Sequence, residues 1–371
     1  MLGNLGNIAG SLGDHSQARA RYEEAHAIAR DLGDRSGEGT WLGNLGNAAN
    51  RQGDYAQARA HFQKALDITR NLGDRSGEGN WLGSLGNVDS NLGDHAQARA
   101  HFEGALAIAR ELGDRVGEKN RLGTLGSLAY RLGDCPEAMA LSEEALVIAR
   151  ELGDRVGEKN RLGTLGDVAF MLGDHRLARA RYEEAIALAR DVGDRRGEGQ
   201  WLSNLGDVAT RLGDHPLARA HYEQVIAIAR DLGDRRGERQ GLSNLGDVAA
   251  SMGDHPEARA RFGDALAITG DAATPNGTVH LLESVARLLG AVGSYREAVE
   301  LLAWADQSRK SLEFARDMAG RGWADAITAE ARNALGDDAA ARCLEQGQAR
   351  SATEILDVAR EQLAAINTDP R

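Results

Sequence analysis

The chain is short of the residues that staple or anchor small folds. Two cysteines, Cys135 and Cys343, stand far apart in 371 residues and share no motif. They give no disulfide framework and fit a reducing interior. Prolines number five and aromatic residues make up 4 % of the chain, so close packing of small residues has to replace bulky core rings. Lysine is nearly missing, with Lys64, Lys119, Lys159 and Lys310 the only four of 44 basic residues. At a net charge of −12 the chain has no basic stripe for a phosphate backbone, which excludes a general nucleic-acid binder. It also lacks a run of about 18 apolar residues and a basic-then-apolar leader, so a membrane span is not expected and the cytoplasm is the expected location. No Gly-x-x-x-x-Gly-Lys-Ser/Thr loop occurs, and no strand pattern supports a dinucleotide fingerprint.

What is abundant is repetition. Leu-Gly pairs recur at Leu5-Gly6, Leu45-Gly46, Leu85-Gly86, Leu125-Gly126, Leu165-Gly166, Leu205-Gly206 and Leu245-Gly246, always 40 residues apart. A constant period of this length marks stacked supersecondary units, none of which buries its apolar face alone. Residues 108–126 and 148–166 are identical, the mark of unit duplication.

Residues 34–73 represent one unit. Asp34 caps a helix A that runs to about Gln52, and Gly53 suits the left-handed position that ends it. Asp54 starts a helix B, with Gln57 three residues on as a capping box. Pro136, Pro216 and Pro256 fall in the first turn of helix B, where the missing donor costs little. At 100° per residue, Trp41, Leu42, Leu45, Gly46, Ala48 and Ala49 share one face of helix A. Thr40, Gly43, Asn44, Asn47, Asn50 and Arg51 share the other. Gly37, Gly39, Gly43 and Gly46 each cost roughly 1 kcal/mol against Ala, so an isolated unit should not fold.

This pattern resembles the tetratricopeptide repeat, carried here by Leu42, Leu45, Gly46, Ala49, Ala58, Phe62 and Ala65. It departs from that family in its 40-residue period, in Ala for the helix A tyrosine and in the missing late proline. The variant is most similar to the arrays of Pins-type G-protein signalling modulators and to the sensor arrays of bacterial signal-transduction ATPases. The resemblance implies an all-α fold, an α-solenoid of helix–turn–helix units in a right-handed superhelix with a helical C-terminal cap. The expected division is seven regular units over 1–270, a degenerate eighth over 271–310, a capping module over 311–366 and a disordered tail over 367–371. Met1-Leu2 enters the first helix A late and without a cap. That points to a fragment of a longer protein, and to an uncapped edge open to self-association.

Candidate chemistry is sparse. His15, His95, His175, His215 and His255 share one repeat position, and stacked units of about 8–10 Å spacing hold them too far apart for one metal. Repetition is the opposite of a single catalytic constellation, so neither an enzyme nor a metal or other cofactor is expected. The resemblance places the polar arc of helix A on a concave groove that holds an extended peptide, and asparagine suits that task with its donor and acceptor. The candidate groove residues are Asn44, Asn47, Asn80, Asn87, Asn120, Asn160, Asp167, Asn204, Asp207, Asn244 and Asp247. One column reads Asn47, Asn87, Ser127, Asp167, Asp207, Asp247, which predicts a groove acidic toward its C-terminal half and a partner with basic residues. Pairing with Arg51, Arg131 or Arg211, four residues on, would mute that field. The expected function is a non-enzymatic interaction scaffold or sensor. The alternatives are a self-associating structural array and a peptide-responsive regulator fragment of a larger signalling ATPase.

Overall fold

The computed structural model describes residues 15–269, 275–311 and 318–366, and all regular structure among them is helical. The helices are α1 (His15–Asp31), α2 (Arg35–Arg51), α3 (Tyr55–Leu72), α4 (Arg75–Asn91), α5 (His95–Leu112), α6 (Arg115–Arg131), α7 (Cys135–Glu151), α8 (Arg155–Met171) and α9 (His175–Asp191). They continue as α10 (Arg195–Arg211), α11 (His215–Asp231), α12 (Arg235–Ser251), α13 (His255–Ile268), α14 (Pro275–Ala291), α15 (Tyr295–Ser311), α16 (Met318–Leu335), α17 (Asp337–Ala349) and α18 (Ala352–Ala365). The chain is an array of paired helices, even-numbered A helices alternating with odd-numbered B helices through α15. It forms two compact units, residues 1–188 and 189–371.

The period is written into the caps. Asp34, Asp74, Asp114, Asp154, Asp194 and Asp234 each accept a hydrogen bond from the backbone N–H three residues on, opening an A helix. Asp54, Asp94, Asp134 and Asp254 open B helices in the same way. The glycines that end the helices have φ between 64° at Gly233 and 86° at Gly336, a region that L side chains avoid. Both arms of a capping box are present at Ser351 and Glu354.

Within the first unit α1 to α8 pack on their neighbours in sequence, α8 meets α9 through Gly166 and Tyr182, and α6 also touches α8. The core is built from small residues, with Ala58, Ala98 and Ala138 fully buried. Phe62 and Phe102 pack against Gly46 and Gly86, where an added Cβ would come within 2.6 Å and 2.5 Å of the ring. In the second unit α10 to α15 repeat this scheme, and α18 packs against α13, α14 and α15. Its Ile355, Leu356, Ala359 and Leu363 share one apolar cluster with Leu282, Leu302 and Trp304. The expected uncapped N-terminal edge and the expected disordered tail over 367–371 both fall outside the described residues.

Candidate binding face on the A helices

The A helices α2, α4, α6, α8, α10 and α12 open with Gly-Asp-Arg-x-Gly-Glu, a string whose members have structural roles. The Asp caps the helix, and the following Gly is required because a Cβ at Gly237 would sit 2.9 Å from the Asp234 carboxylate. In α4, α6 and α10 the Glu is buried between two arginines. Glu78 accepts from Arg70 at 2.9 Å and from Arg75 at 2.5 Å, while Arg75 also pairs with Glu111 at the end of α5. The Arg70 hydrogen bond, joined by Arg75, holds the Glu78 carboxyl below its ordinary range. Arg110, Arg115, Glu118 and Glu151 repeat the joint one unit later. This string is a structural clasp between helices.

The polar arc of the A helices is as the sequence orders it. Asn47, Asn80, Asn87, Asn120 and Asn160 are exposed, and Asn44, Asp167, Asn204, Asp207, Asn244 and Asp247 are half-buried on the same arc. Several of its groups are already engaged. The Ser84, Thr124, Ser127 and Thr164 hydroxyls donate to carbonyls four residues back. Asn204 and Asn244 accept from Gln200 and Gln240.

The drift from Asn to Asp has a partner that the sequence reading missed. Tyr182 Oη donates to Asp167 at 2.8 Å, and Tyr222 Oη donates to Asp207 at 2.6 Å. Where the column holds Asn47 and Asn87, the residue 15 further on is Phe62 or Phe102. Asp247 is followed by Phe262 and takes Arg287 at 2.5 Å and Ser284 at 3.0 Å. A carboxylate thus stands where a donor on another helix meets it. Burial pushes Asp207 above the ordinary aspartate range, against the Tyr222 hydrogen bond and the charges of His280 and Arg211. Each of these acids is thus engaged within the chain, Asp167 and Asp207 by a tyrosine and Asp247 by Arg287 and Ser284.

A second coupling closes the floor between neighbouring A helices. Gly43, Gly83 and Gly123 are not bare backbone. Trp81 covers Gly43, Arg121 covers Gly83 and Arg161 covers Gly123, each from 38 residues on. Trp81 also stacks on Phe62 with centroids 6.1 Å apart, as Trp41 does on Tyr22 at 6.4 Å. Arg161 Nη1 donates to the Gly123 carbonyl at 2.8 Å. Burial holds the pKa of Arg161 and Arg121 down, with Asp114 partly opposing it at Arg121.

Two depressions lie on this face of the first unit. One, of about 450 Å³, is lined by Lys119, Asn120, Thr124, Ser127, Asp154, Asn160 and Arg161. The other, of about 330 Å³, is lined by Asn50, Asn87, Ser90, Asn91, Thr124, Ser127 and Arg131. Among the described residues no three His, Cys, Asp or Glu side chains gather as a metal site. No helix among them is long and apolar enough to cross a membrane.

The family model for the tetratricopeptide repeat matches residues 1–71, 77–151, 121–191, 159–231 and 197–271. No curated protein matches the sequence. Among solved structures, aspartyl phosphate phosphatase F from Bacillus subtilis is 13 % identical over 94 % of this chain and 93 % of its own, with a TM-score of 0.62. A signal transduction ATPase with numerous domains and a tetratricopeptide repeat sensor, from Pyrococcus horikoshii, is 14 % identical. That match covers 93 % of this chain and 48 % of the ATPase, with a TM-score of 0.61. BtubC from P. vanneervenii is 22 % identical over 58 % of this chain and 90 % of its own, with a TM-score of 0.53. At these identities the likeness is one of fold.

Proposed function

The chain belongs to the tetratricopeptide repeat family, and from that premise we propose that it is a non-enzymatic module binding an extended partner segment along its A helices. The observation that carries this reading is the polar arc. Five exposed asparagine amides, Asn47, Asn80, Asn87, Asn120 and Asn160, recur along the first unit's A helices over a floor closed by Trp81, Arg121 and Arg161. An extended peptide has an unpaired N–H and C=O at every residue, and an asparagine amide can serve both.

A basic partner is not needed by this reading. Asp167, Asp207 and Asp247 already accept hydrogen bonds within the chain. The ATPase from Pyrococcus horikoshii carries a repeat array named as a sensor, and a sensor arm within a larger protein is one setting in which such binding would operate.

The test is paired substitution. Asn87→Leu and Asn160→Leu keep side-chain size and remove the amides. Each should weaken partner binding while leaving the urea midpoint unchanged. Glu143→Leu on the exposed face of α7 should change neither binding nor the urea midpoint. Equal loss from the α7 variant, or none from the two asparagine variants, would overturn the proposal.

A further inference from the structure

We propose that the first unit pairs with a second copy of this chain through an apolar patch on the edge where its B helices turn into A helices. The patch is Leu112, Val116, Val147, Leu152 and Val156, each between 42 % and 55 % exposed. The leucines belong to the repeat, since Leu72 and Leu232 hold the same turn position. The valines are additions. Val116 and Val156 stand where other A helices carry Ser36, Ser76, Arg196 and Arg236. Val147 stands where other B helices carry Asp67, Ala107 and Ala187.

Ion pairs bring the five together. Arg115, beside Val116, pairs with Glu151, beside Leu152. Arg110, two residues before Leu112, pairs with Glu144, one turn before Val147. Lys119, one turn after Val116, pairs with Asp154, two residues before Val156. The patch therefore crosses the ends of α5, α6, α7 and α8, roughly 30 Å for helices about 8–10 Å apart.

The rim selects the occupant. Arg110, Arg115 and Arg150 stand around the patch, paired with Glu144, Glu151 and Glu158. Such a rim has no surplus charge to attract a strongly acidic or basic partner, or an anionic lipid surface. A two-fold contact sets one patch against its own copy, and a rim of mixed sign brings arginine of one copy within reach of glutamate of the other. The net charge of −12 opposes contact between copies through the chain at large, which leaves this edge as the favoured place. The area fits as well. At these exposures the five side chains present roughly 400 Å² of apolar surface, and a standard interface of about 800 Å² per partner is a little over half apolar.

The test is sedimentation velocity of the full chain up to about 100 µM, within reach of the weakest interfaces of standard size. The native chain should sediment as a dimer at the upper end. The triple replacement Val116→Ser, Val147→Ala and Val156→Ser installs residues that other repeats already carry, so the far-ultraviolet circular dichroism spectrum should not change. It should weaken dimerisation at least about a hundredfold, since each copy loses three apolar contacts. Leu212→Ser removes an equally exposed side chain from the second unit and should leave the dimer intact. A native chain that stays monomeric, a dimer that the triple variant retains, or one that Leu212→Ser breaks as readily overturns the proposal. None of these outcomes decides the A-helix reading, which is tested by partner binding.

Discussion

Replacing Tyr222 with Phe isolates the coupling behind the Asn-to-Asp drift. The phenol donates to Asp207 at 2.6 Å, and a hydrogen bond to a charged group is worth about 1.5–3 kcal/mol. Tyr222→Phe should therefore lower the stability of the full chain by about that much at pH 7. Asp207→Asn in the same background recreates the Asn47/Phe62 and Asn87/Phe102 pairs, and should restore most of the loss. Burial raises the Asp207 pKa in the folded chain. The native state thus holds a proton that the unfolded chain has released, and stability falls as pH rises from the ordinary aspartate value, about 3.9, through the raised one. Loss of the phenol raises that pKa further, so the Tyr222→Phe penalty should be larger at pH 7 than at pH 4. Urea denaturation followed by far-ultraviolet circular dichroism, on all four members of the cycle at both pH values, reads the coupling. Effects that add within about 0.5 kcal/mol would refute it.

Other expectations follow from single contacts. Gly46→Ala places a Cβ 2.6 Å from the Phe62 ring; overpacking of about 1–3 kcal/mol should outweigh the roughly 1 kcal/mol gain in helix propensity and lower the melting temperature. Ser142 Oγ is buried without a partner, so Ser142→Ala should raise the urea midpoint by the equivalent of about 1 kcal/mol. The Lys119 and Gly157 hydrogen bonds hold the Asp154 carboxyl below its ordinary value. That stability is present above the unfolded aspartate pKa and disappears as pH falls through the depressed one. Asp154→Asn should accordingly cost more at pH 7 than at pH 3 in the same urea assay.

The repeat, the caps and the apolar arcs were legible because they are local. An Asp and the N–H it caps lie three residues apart, and a left-handed turn names its own glycine. The floor of the binding face was not legible from one helix. Gly43 reads as bare backbone until Trp81, 38 residues on, folds over it. Asp207 reads as ligand-seeking charge until Tyr222 reaches it from α11. The signal was present in the columns, where Tyr182 and Tyr222 accompany Asp167 and Asp207 while Phe62 and Phe102 accompany Asn47 and Asn87. Two columns had to be compared to see it, because the contact lies between helices.

The most direct measurement of A-helix recognition is backbone hydrogen exchange of the full chain, alone and saturated with the tightest-binding peptide selected on it from a random display library. The account predicts added protection over 80–91, 120–131 and 160–171, on α4, α6 and α8, with α3, α5 and α7 unchanged. Protection concentrated on α3, α5 and α7 would contradict it.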